Sequence, residues 1–454
     1  MRTSTRRRPR RAAASAVLGL LLAAAAGTQA RAEPTREEQW FLDAMKAEQM
    51  WQTSTGEGVT VAVIDTGVDP DNPDLKGRVL PGKDLAPDQP GDEHADYEGH
   101  GTGMAGLIAG TGAYGGGNGA FGLAPGVMIL PVRLPSADTA ANLAEAEERF
   151  NKAVAPAIRY AADKGAQVIN ISQAATEGSP QLTAAVKYAL GEGSLIFAGV
   201  GNKGSGANEV MYPAATPGVV GVAAVGKDLR RTAESEHGPQ VDMAAPGEDM
   251  VHACDSETGL CRGHGTSDAT ALASASAALI WAEHPTWTNN QILRVMLNTI
   301  GAPTDGADRN DSIGYGIVRP RIALQSSGDP GPAGAYPLPD LAAAASTSPS
   351  PQTSETAGAD APAEDDGSAA TASAPKDGTT PWVALGIGGV VLLGAAIAVL
   401  AVVRRRRDPA AALPTSAPAT GRSTHTPTGF TPPSYAPPGT SDSVTSSDRG
   451  PGSV

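Results

Sequence analysis

Four polar residues of this sequence have the side-chain types that together perform nucleophilic catalysis. In chain order they are Asp65, His100, Asn202 and Ser267. A serine hydroxyl becomes a useful nucleophile when a histidine takes its proton, a carboxylate orients that histidine, and hydrogen-bond donors wait for the oxyanion. The chain offers one candidate for each role, each just after a predicted strand or at a predicted helix start.

Ser267 lies in the segment Gly-Thr-Ser-Asp-Ala-Thr-Ala at residues 265–271. The Gly-Thr pair predicts a bend, and the small apolar residues after Ser267 predict a helix that ends before Pro285. A serine at that position has two interpretations. It is either a nucleophile or a helix cap that satisfies a free backbone N–H.

The elements that would position these residues follow an alternating pattern. Short apolar runs without clear alternation predict strands covered on both faces, at 59–64, 128–132, 168–171, 195–198 and 219–225. Segments with helical periodicity occur at 37–53, 150–164, 182–191 and 289–300. Thr288 and Gln291 predict a capping box at the start of the last of them. This succession predicts a doubly wound α/β fold with a mostly parallel sheet, in which catalytic groups lie at strand ends.

Both ends of the chain have the composition of membrane-directed segments. Residues 1–32 combine an Arg-rich start, an apolar centre and a small-residue cleavage site, which predicts a secretory signal peptide. Residues 382–403 carry no charge and predict a single C-terminal transmembrane helix. Four arginines follow at once, so the tail 404–454 is expected in the cytoplasm and the folded domain outside the cell membrane.

The remaining segments complete the predicted organisation. Residues 33–55 form an N-terminal extension whose apolar side chains are expected to pack against the α/β domain at 56–325. Residues 326–381 are rich in Pro, Ser, Thr, Ala and acidic residues, which predicts a disordered stalk. The formal net charge of −14 argues against a nucleic-acid partner.

The local sequences resemble those of the subtilisin-like serine proteases over about residues 56–325. Besides the four candidates, three segments match that family's pattern: 118–125, 212–215 and 241–247. The resemblance implies that Asp65 orients the general base His100 and that Ser267 attacks the scissile carbonyl. Asn202 and the Ser267 backbone N–H would then stabilise the oxyanion, with no cofactor and no metal required.

The order of segments is similar to that of the mycosins, membrane-anchored subtilases associated with type VII secretion. This resemblance implies an extracytoplasmic serine endopeptidase on a single membrane span. Its substrates would be proteins or peptides, and its partners would include secretion components.

Two departures from the family pattern favour a different function. Asp268 follows Ser267 where relatives usually have Met, and the candidate substrate-binding strand ends Ser172, Gln173, Ala174 where relatives have Ser-Leu-Gly. A charge beside the nucleophile and a narrower cleft could leave the protein catalytically weak. The alternative function is therefore a protease-like structural subunit of a secretion complex.

Other chemistry-bearing residues have competing interpretations. Cys254 and Cys261 predict a disulfide in an exported protein, but with His252 and His264 they also have zinc-ligand types. His264 is otherwise expected to be a loop histidine. The Gly-rich stretch 110–122 lacks a phosphate-binding Lys-Ser/Thr ending and predicts a plain loop. Acidic residues before His100 match no calcium loop and predict a solvated acidic loop: Asp88, Asp92, Glu93, Asp96 and Glu98.

Overall fold

The computed structural model describes residues 35–254 and 259–347. The predicted signal peptide, transmembrane helix and cytoplasmic tail lie outside the described residues, as does most of the predicted stalk. Among the helices of the described part, none is long and apolar enough to cross a membrane.

Parallel strands form the centre of the fold. The described strands are β1 (Thr60–Asp65), β2 (Lys83–Asp84), β3 (Met128–Arg133), β4 (Val168–Ile171), β5 (Leu195–Gly199), β6 (Val220–Val225), β7 (Met243–Pro246), β8 (Met250–Ala253) and β9 (Leu260–Gly263). The first seven make one sheet in the order β2-β3-β1-β4-β5-β6-β7, and every pairing in it is parallel. Strands β8 and β9 form a separate antiparallel pair.

Helices cover both faces of this sheet. The described helices are α1 (Thr35–Glu38), α2 (Trp40–Met45), α3 (Ala47–Trp51), α4 (His100–Ala109), α5 (Tyr114–Gly117), α6 (Leu143–Asp163), α7 (Pro180–Gly191), α8 (Thr266–Glu283), α9 (Asn289–Asn298), α10 (Pro320–Gln325) and α11 (Asp340–Thr347). One short 3₁₀ turn lies at Ala137–Thr139.

Alternate side chains of β1 belong to two separate cores. Val61 and Val63 pack in the core that holds apolar residues of α4 and α8. Ala62 and Ile64 pack in the other, with residues of α6 and α7. The sheet is therefore buried on both sides, and the predicted doubly wound, mostly parallel α/β fold is confirmed. The five predicted strands agree with β1, β3, β4, β5 and β6 to within one or two residues.

The helix predicted over 37–53 is wrong as a single element. The segment forms three short helices, α1 to α3, because Gln39 has a non-helical backbone with ψ of 67° and Lys46 takes a left-handed conformation with φ of 61°. The expected packing against the domain is confirmed. Gln39 is fully buried, donates to the carbonyls of Phe121 and Val251, and accepts from the Phe121 N–H.

The helix predicted over 150–164 begins earlier, at Leu143. The Asn142 side chain accepts from the Glu145 N–H at 3.0 Å and caps the helix there. None of the added residues 143–149 is buried, so apolar periodicity does not reveal them. By contrast, the predicted capping box that starts α9 is confirmed, with Thr288 and Gln291 in reciprocal hydrogen bonds.

The ordered structure extends past Gln325, where composition predicted the start of a disordered stalk. Within the described residues 326–347, several side chains and backbone groups lie against the domain instead. Arg294 donates to the Pro330 carbonyl at 2.7 Å, the Gly218 N–H donates to Asp340 at 2.6 Å, and Leu338 is 3% exposed. Backbone carbonyls and one buried leucine anchor this stretch, and these features do not depend on a hydrophobic composition.

The topology brings several chain segments to one edge of the sheet. Asp65 is the last residue of β1, Ser172 follows β4, and Asn202 comes shortly after β5. Because parallel strands all point their carboxyl ends to the same edge, these three residues lie at that edge.

Candidate active site

Asp65 and His100 form the central pair of the site. The Nδ1 atom of His100 lies 2.7 Å from Oδ1 of Asp65, which is fully buried. Since a carboxylate oxygen only accepts, Nδ1 carries the proton of the neutral imidazole. The lone pair is then on Nε2, the nitrogen free to act as a base.

The turn before α4 is fixed by a carboxylate of its own. Asp96 is 8% exposed, and it accepts from the hydroxyl of Thr66 at 2.7 Å and the N–H of Thr102 at 2.7 Å. Gly99 adopts a left-handed conformation with φ of 72°, and its N–H also donates to Asp96. Asp96 thus caps the helix that carries His100. The predicted solvated loop is wrong at this residue, because Asp96 is buried and its carboxylate accepts hydrogen bonds from Thr66, Gly99 and Thr102.

Ser267 lies in the first turn of α8, one residue after its start. The helix N-cap is Gly265, with φ of 125°, and no side chain makes a cap hydrogen bond of the usual kind. The Ser267 hydroxyl donates instead to the Ser172 carbonyl at 3.2 Å. The interpretation of Ser267 as a helix cap is therefore wrong.

Asn202 occupies the space beside the start of α8. Its Oδ1 accepts from the Thr266 N–H at 2.9 Å and from the Thr266 hydroxyl at 3.1 Å. These donors fix the orientation of the amide, because only its oxygen can accept. The amide Nδ2 therefore remains as a donor next to the first turn of the Ser267 helix.

The three predicted substrate-binding residues lie together beside His100. Ser172, Gln173 and Ala174 are partly exposed and line a cavity of about 250 Å³, whose walls also include Phe150. Behind them, the Asn170 side chain donates to the Ser172 hydroxyl at 3.0 Å and accepts from Ser274 of α8. These hydrogen bonds connect the cavity wall to the helix of Ser267.

Carboxylates dominate the electrostatics of this site. Burial lowers the pKa of His100, but the charge and hydrogen bond of Asp65, and then the charges of Asp268 and Asp96, raise it from 6.5 to about 9. Asp268 is only 2% exposed, and burial raises its pKa to about 7 against the opposing charges of His100 and His264. The residue after Ser267 is therefore an acid that is costly to ionise.

The cysteine pair is placed as a disulfide. The sulfur atoms of Cys254 and Cys261 are 2.02 Å apart. The zinc interpretation is wrong for this arrangement, because both sulfurs are used and no group of three metal-ligand side chains comes together within the described residues. His264 has a side chain 73% exposed, and its Nδ1 lies 3.6 Å from Glu234, as expected for a loop histidine.

The Gly-rich stretch is organised around a carboxylate. Asp74 accepts from the N–H groups of Tyr114 and Ala120 at 2.7 and 2.9 Å. A negative side chain therefore occupies the place where a phosphate would have to bind, and the stretch is a loop that contains the short helix α5.

Sequence reasoning missed one buried residue near the site. His252 on β8 is 7% exposed, and its ring packs against Gly103 of the His100 helix. It had been considered only as a zinc ligand. No local pattern indicates this contact, since it depends on how the β8-β9 hairpin packs on α4.

Comparison with known proteins agrees with this geometry. A sequence profile of the Subtilase family, Peptidase_S8, matches residues 56–317. The intracellular serine protease of Paenibacillus polymyxa is 33% identical over 215 residues, which cover 46% of this chain and 63% of that protein. The chain thus spans less than two thirds of that relative's length.

Two solved structures are similar to this chain over about two thirds of its length. MycP1 from Mycobacterium smegmatis superposes with a TM-score of 0.58 at 30% identity, over 68% of this chain and 90% of that one. A chain in the periplasmic assembly from the ESX-5 inner membrane complex gives a TM-score of 0.56 at 28% identity, over 69% and 90%. From the profile match and the parallel-sheet architecture together, we conclude that this chain belongs to the subtilase family.

Proposed function

We propose that the protein is a membrane-anchored, extracytoplasmic serine endopeptidase that uses Asp65, His100 and Ser267 as its catalytic triad. The observation that carries this proposal is the 2.7 Å contact of His100 with the buried Asp65, at the sheet edge where the first turn of α8 holds Ser267. That arrangement supplies a carboxylate, an oriented base and a hydroxyl from three distant parts of the chain.

The reaction begins with the neutral His100 ring. Its Nε2 takes the proton of the Ser267 hydroxyl as the oxygen attacks the carbonyl carbon of the scissile peptide bond. The hydroxyl must first rotate away from the Ser172 carbonyl, to which it donates in the free protein. His100 then gives the proton to the departing amine, and the acyl group stays on Ser267 until water releases it by the same steps.

The tetrahedral oxyanion needs donors that are already in position. The backbone N–H of Ser267 is one candidate, and the Nδ2 of Asn202 is the other, because Thr266 holds the amide oxygen. Donors fixed in advance require no reorganisation when the charge develops. Ser172, Gln173 and Ala174 would hold the acyl side of the peptide along the cavity next to His100.

We further propose the location and partners of the enzyme. The uncharged stretch 382–403, followed by four arginines, supports a single span with the tail at 404–454 in the cytoplasm. The likeness to a chain of the ESX-5 periplasmic assembly supports a place beside a type VII secretion complex. Substrates would then be proteins or peptides at the outer face of the membrane.

A second candidate function is a protease-like structural subunit of such a complex. The observation that favours it is the buried acid Asp268, which adjoins Ser267 and whose charge would oppose release of the His100 proton. Ala174 also adds a methyl group to the wall of the cleft where relatives have glycine.

Covalent labelling separates the two functions. The purified full-length chain is treated with a fluorophosphonate probe beside Ser267→Ala, with thermal unfolding as the control for folding. The enzyme proposal expects labelling of the wild-type chain and none of the variant. A folded wild-type chain that does not label at Ser267 would refute it and favour the structural function.

Two measurements in cells test the setting. If catalysis is needed for secretion, Ser267→Ala cells secrete less protein than wild-type cells. If secretion is lost only when the whole gene is deleted, the structural function is supported. A reporter fused after Arg407 is expected on the cytoplasmic side, and an extracytoplasmic reporter would overturn the proposed topology.

A further inference from the structure

His252 is a buried imidazole that the proposed reaction does not use. It lies on β8, and its ring meets the helix of His100 at Gly103, one turn after the base itself. A Cβ atom at Gly103 would lie 2.7 Å from Cε1 of His252. Only glycine leaves room for the ring there, so His252 is held directly against α4.

Asp268 approaches the same ring from the other side. A Cβ atom at Gly263 would lie 2.6 Å from Oδ1 of Asp268 and 2.9 Å from Nε2 of His252. The two side-chain atoms therefore border one small space beside Gly263. Oδ1 of Asp268 is buried and has no hydrogen-bond partner within the described residues, which is a costly state for a polar atom.

The proton positions follow from the neighbours of the ring. His252 Nδ1 lies 2.9 Å from the Ala253 carbonyl, which can only accept, so Nδ1 carries a proton. In the neutral ring Nε2 then has a lone pair facing the space beside Gly263. The structure has no hydrogen bond between these two side chains, but a protonated Asp268 carboxyl that turns into the space beside Gly263 can donate into that lone pair and satisfy its orphan oxygen.

We propose that Asp268 and His252 share one proton as a buried pair, which removes the charge of Asp268 from the surroundings of His100. Both are positioning residues in this proposal, which rests on the proposed function. The titratable groups whose charges act on Asp268 are His100 on α4 and His264 before α8. His252 on β8 faces Asp268 across the space beside Gly263. Asp65 and Asp96 act on His100 in addition.

The direction of both pKa shifts agrees with a proton on the carboxyl. Burial raises the pKa of Asp268, while burial and the charge of His100 lower the pKa of His252. With that proton in place, one of the three carboxylates that raise the pKa of His100 becomes neutral. His100 can then lose its proton and act as a base at lower pH.

A double-mutant cycle followed over pH tests the pair. The rate of fluorophosphonate labelling of the full chain is measured for wild type, Asp268→Asn, His252→Phe and the double variant. In His252→Phe, Asp268 loses its acceptor and ionises near His100. We expect labelling on the acid limb of the profile to be about threefold slower, which is the order of effect that one added charge nearby has in a water-like dielectric.

The matched variants give the opposite expectation. Asp268→Asn is neutral and still has an N–H for His252, so the midpoint of the acid limb stays at the wild-type pH. The double variant has no charge at 268 and recovers the same midpoint. Two results would overturn the proposal. One is a midpoint of the acid limb that does not change in His252→Phe. The other is a midpoint that moves to lower pH in Asp268→Asn.

Infrared spectroscopy provides a test that needs neither activity nor a folded His252 variant. The difference spectrum between wild type and Asp268→Asn at pH 6, below the Asp268 pKa of about 7, should contain the C=O band of a protonated carboxylic acid. Absence of that band means that Asp268 is ionised, which refutes the shared proton. If Ser267 fails to label in every variant while the band is present, the proposed function fails and the pair survives.

Discussion

Gly101 lies where the helix of His100 passes closest to the strand that carries Asp65. A Cβ atom at this position would lie 2.1 Å from the Gly67 carbonyl oxygen and 3.1 Å from the Asp65 Cβ. Ordinary carbon–oxygen contacts are about 3.3–3.6 Å long. Gly101→Ala therefore requires α4 to move by about 1 Å.

Two opposing effects set the magnitude. Alanine gains about 1 kcal/mol over glycine in a helix interior but less at Gly101, which lies in the first turn, whereas overpacking a buried contact costs about 1–3 kcal/mol. Because the clash is with backbone, which cannot rotate away, the second effect is the larger. We expect a loss of about 1–2 kcal/mol in the free energy of unfolding. A displacement of about 1 Å between His100 and Asp65 should slow the chemistry by about 10²-fold.

The measurement combines thermal unfolding with the rate of fluorophosphonate labelling. Gly191→Ala is the matched control, because Gly191 also belongs to a helix, α7, and a Cβ atom there meets nothing within 4 Å. The control should keep the wild-type labelling rate and lose no stability. A Gly101→Ala variant that labels and unfolds like wild type would refute the argument that this contact positions His100.

Three further predictions address the base, the oxyanion and the helix cap. His100 acts as a base only when it is deprotonated, and its pKa is raised from 6.5 to about 9. The value of kcat/KM should therefore rise with pH, with an apparent pKa between 6.5 and about 9. An apparent pKa below 6.5 would contradict this prediction. Asn202→Ala should lower kcat by about 10²–10³-fold with KM little changed. A variant in which only KM rises would refute the role of Asn202 as an oxyanion donor. Thr288→Ala breaks the capping box of α9 and should cost about 1 kcal/mol in thermal unfolding without affecting labelling, whereas unchanged stability would show that the cap is redundant.

The sequence was informative about elements with strong local signals. Buried parallel strands are continuous apolar runs, so five of them were located to within one or two residues. The capping box of Thr288 and Gln291 was equally clear, because its hydrogen bonds join residues three positions apart. Asp65, His100, Asn202 and Ser267 were selected by type, order and neighbouring glycines.

Local signals failed where a distant contact decides the conformation. The three helices of the N-terminal extension are separated at Gln39 and at Lys46. The side chain of Gln39 binds carbonyls that lie about 80 and 210 residues away along the chain. The ordered stretch after Gln325 has the composition of a stalk, yet single hydrogen bonds and Leu338 attach it to the domain.

By itself, the sequence determined the fold class and which residues are available for catalysis, because periodicity and motif order are local properties of the chain. Only the tertiary structure decided that Asp65 meets His100 at 2.7 Å, that Ser267 is not a cap, and that Asp96 caps α4. It also decided the environment of Asp268. Whether that carboxyl is charged depends on its burial and on the charge of His100, and both arise from packing between elements that are distant in sequence.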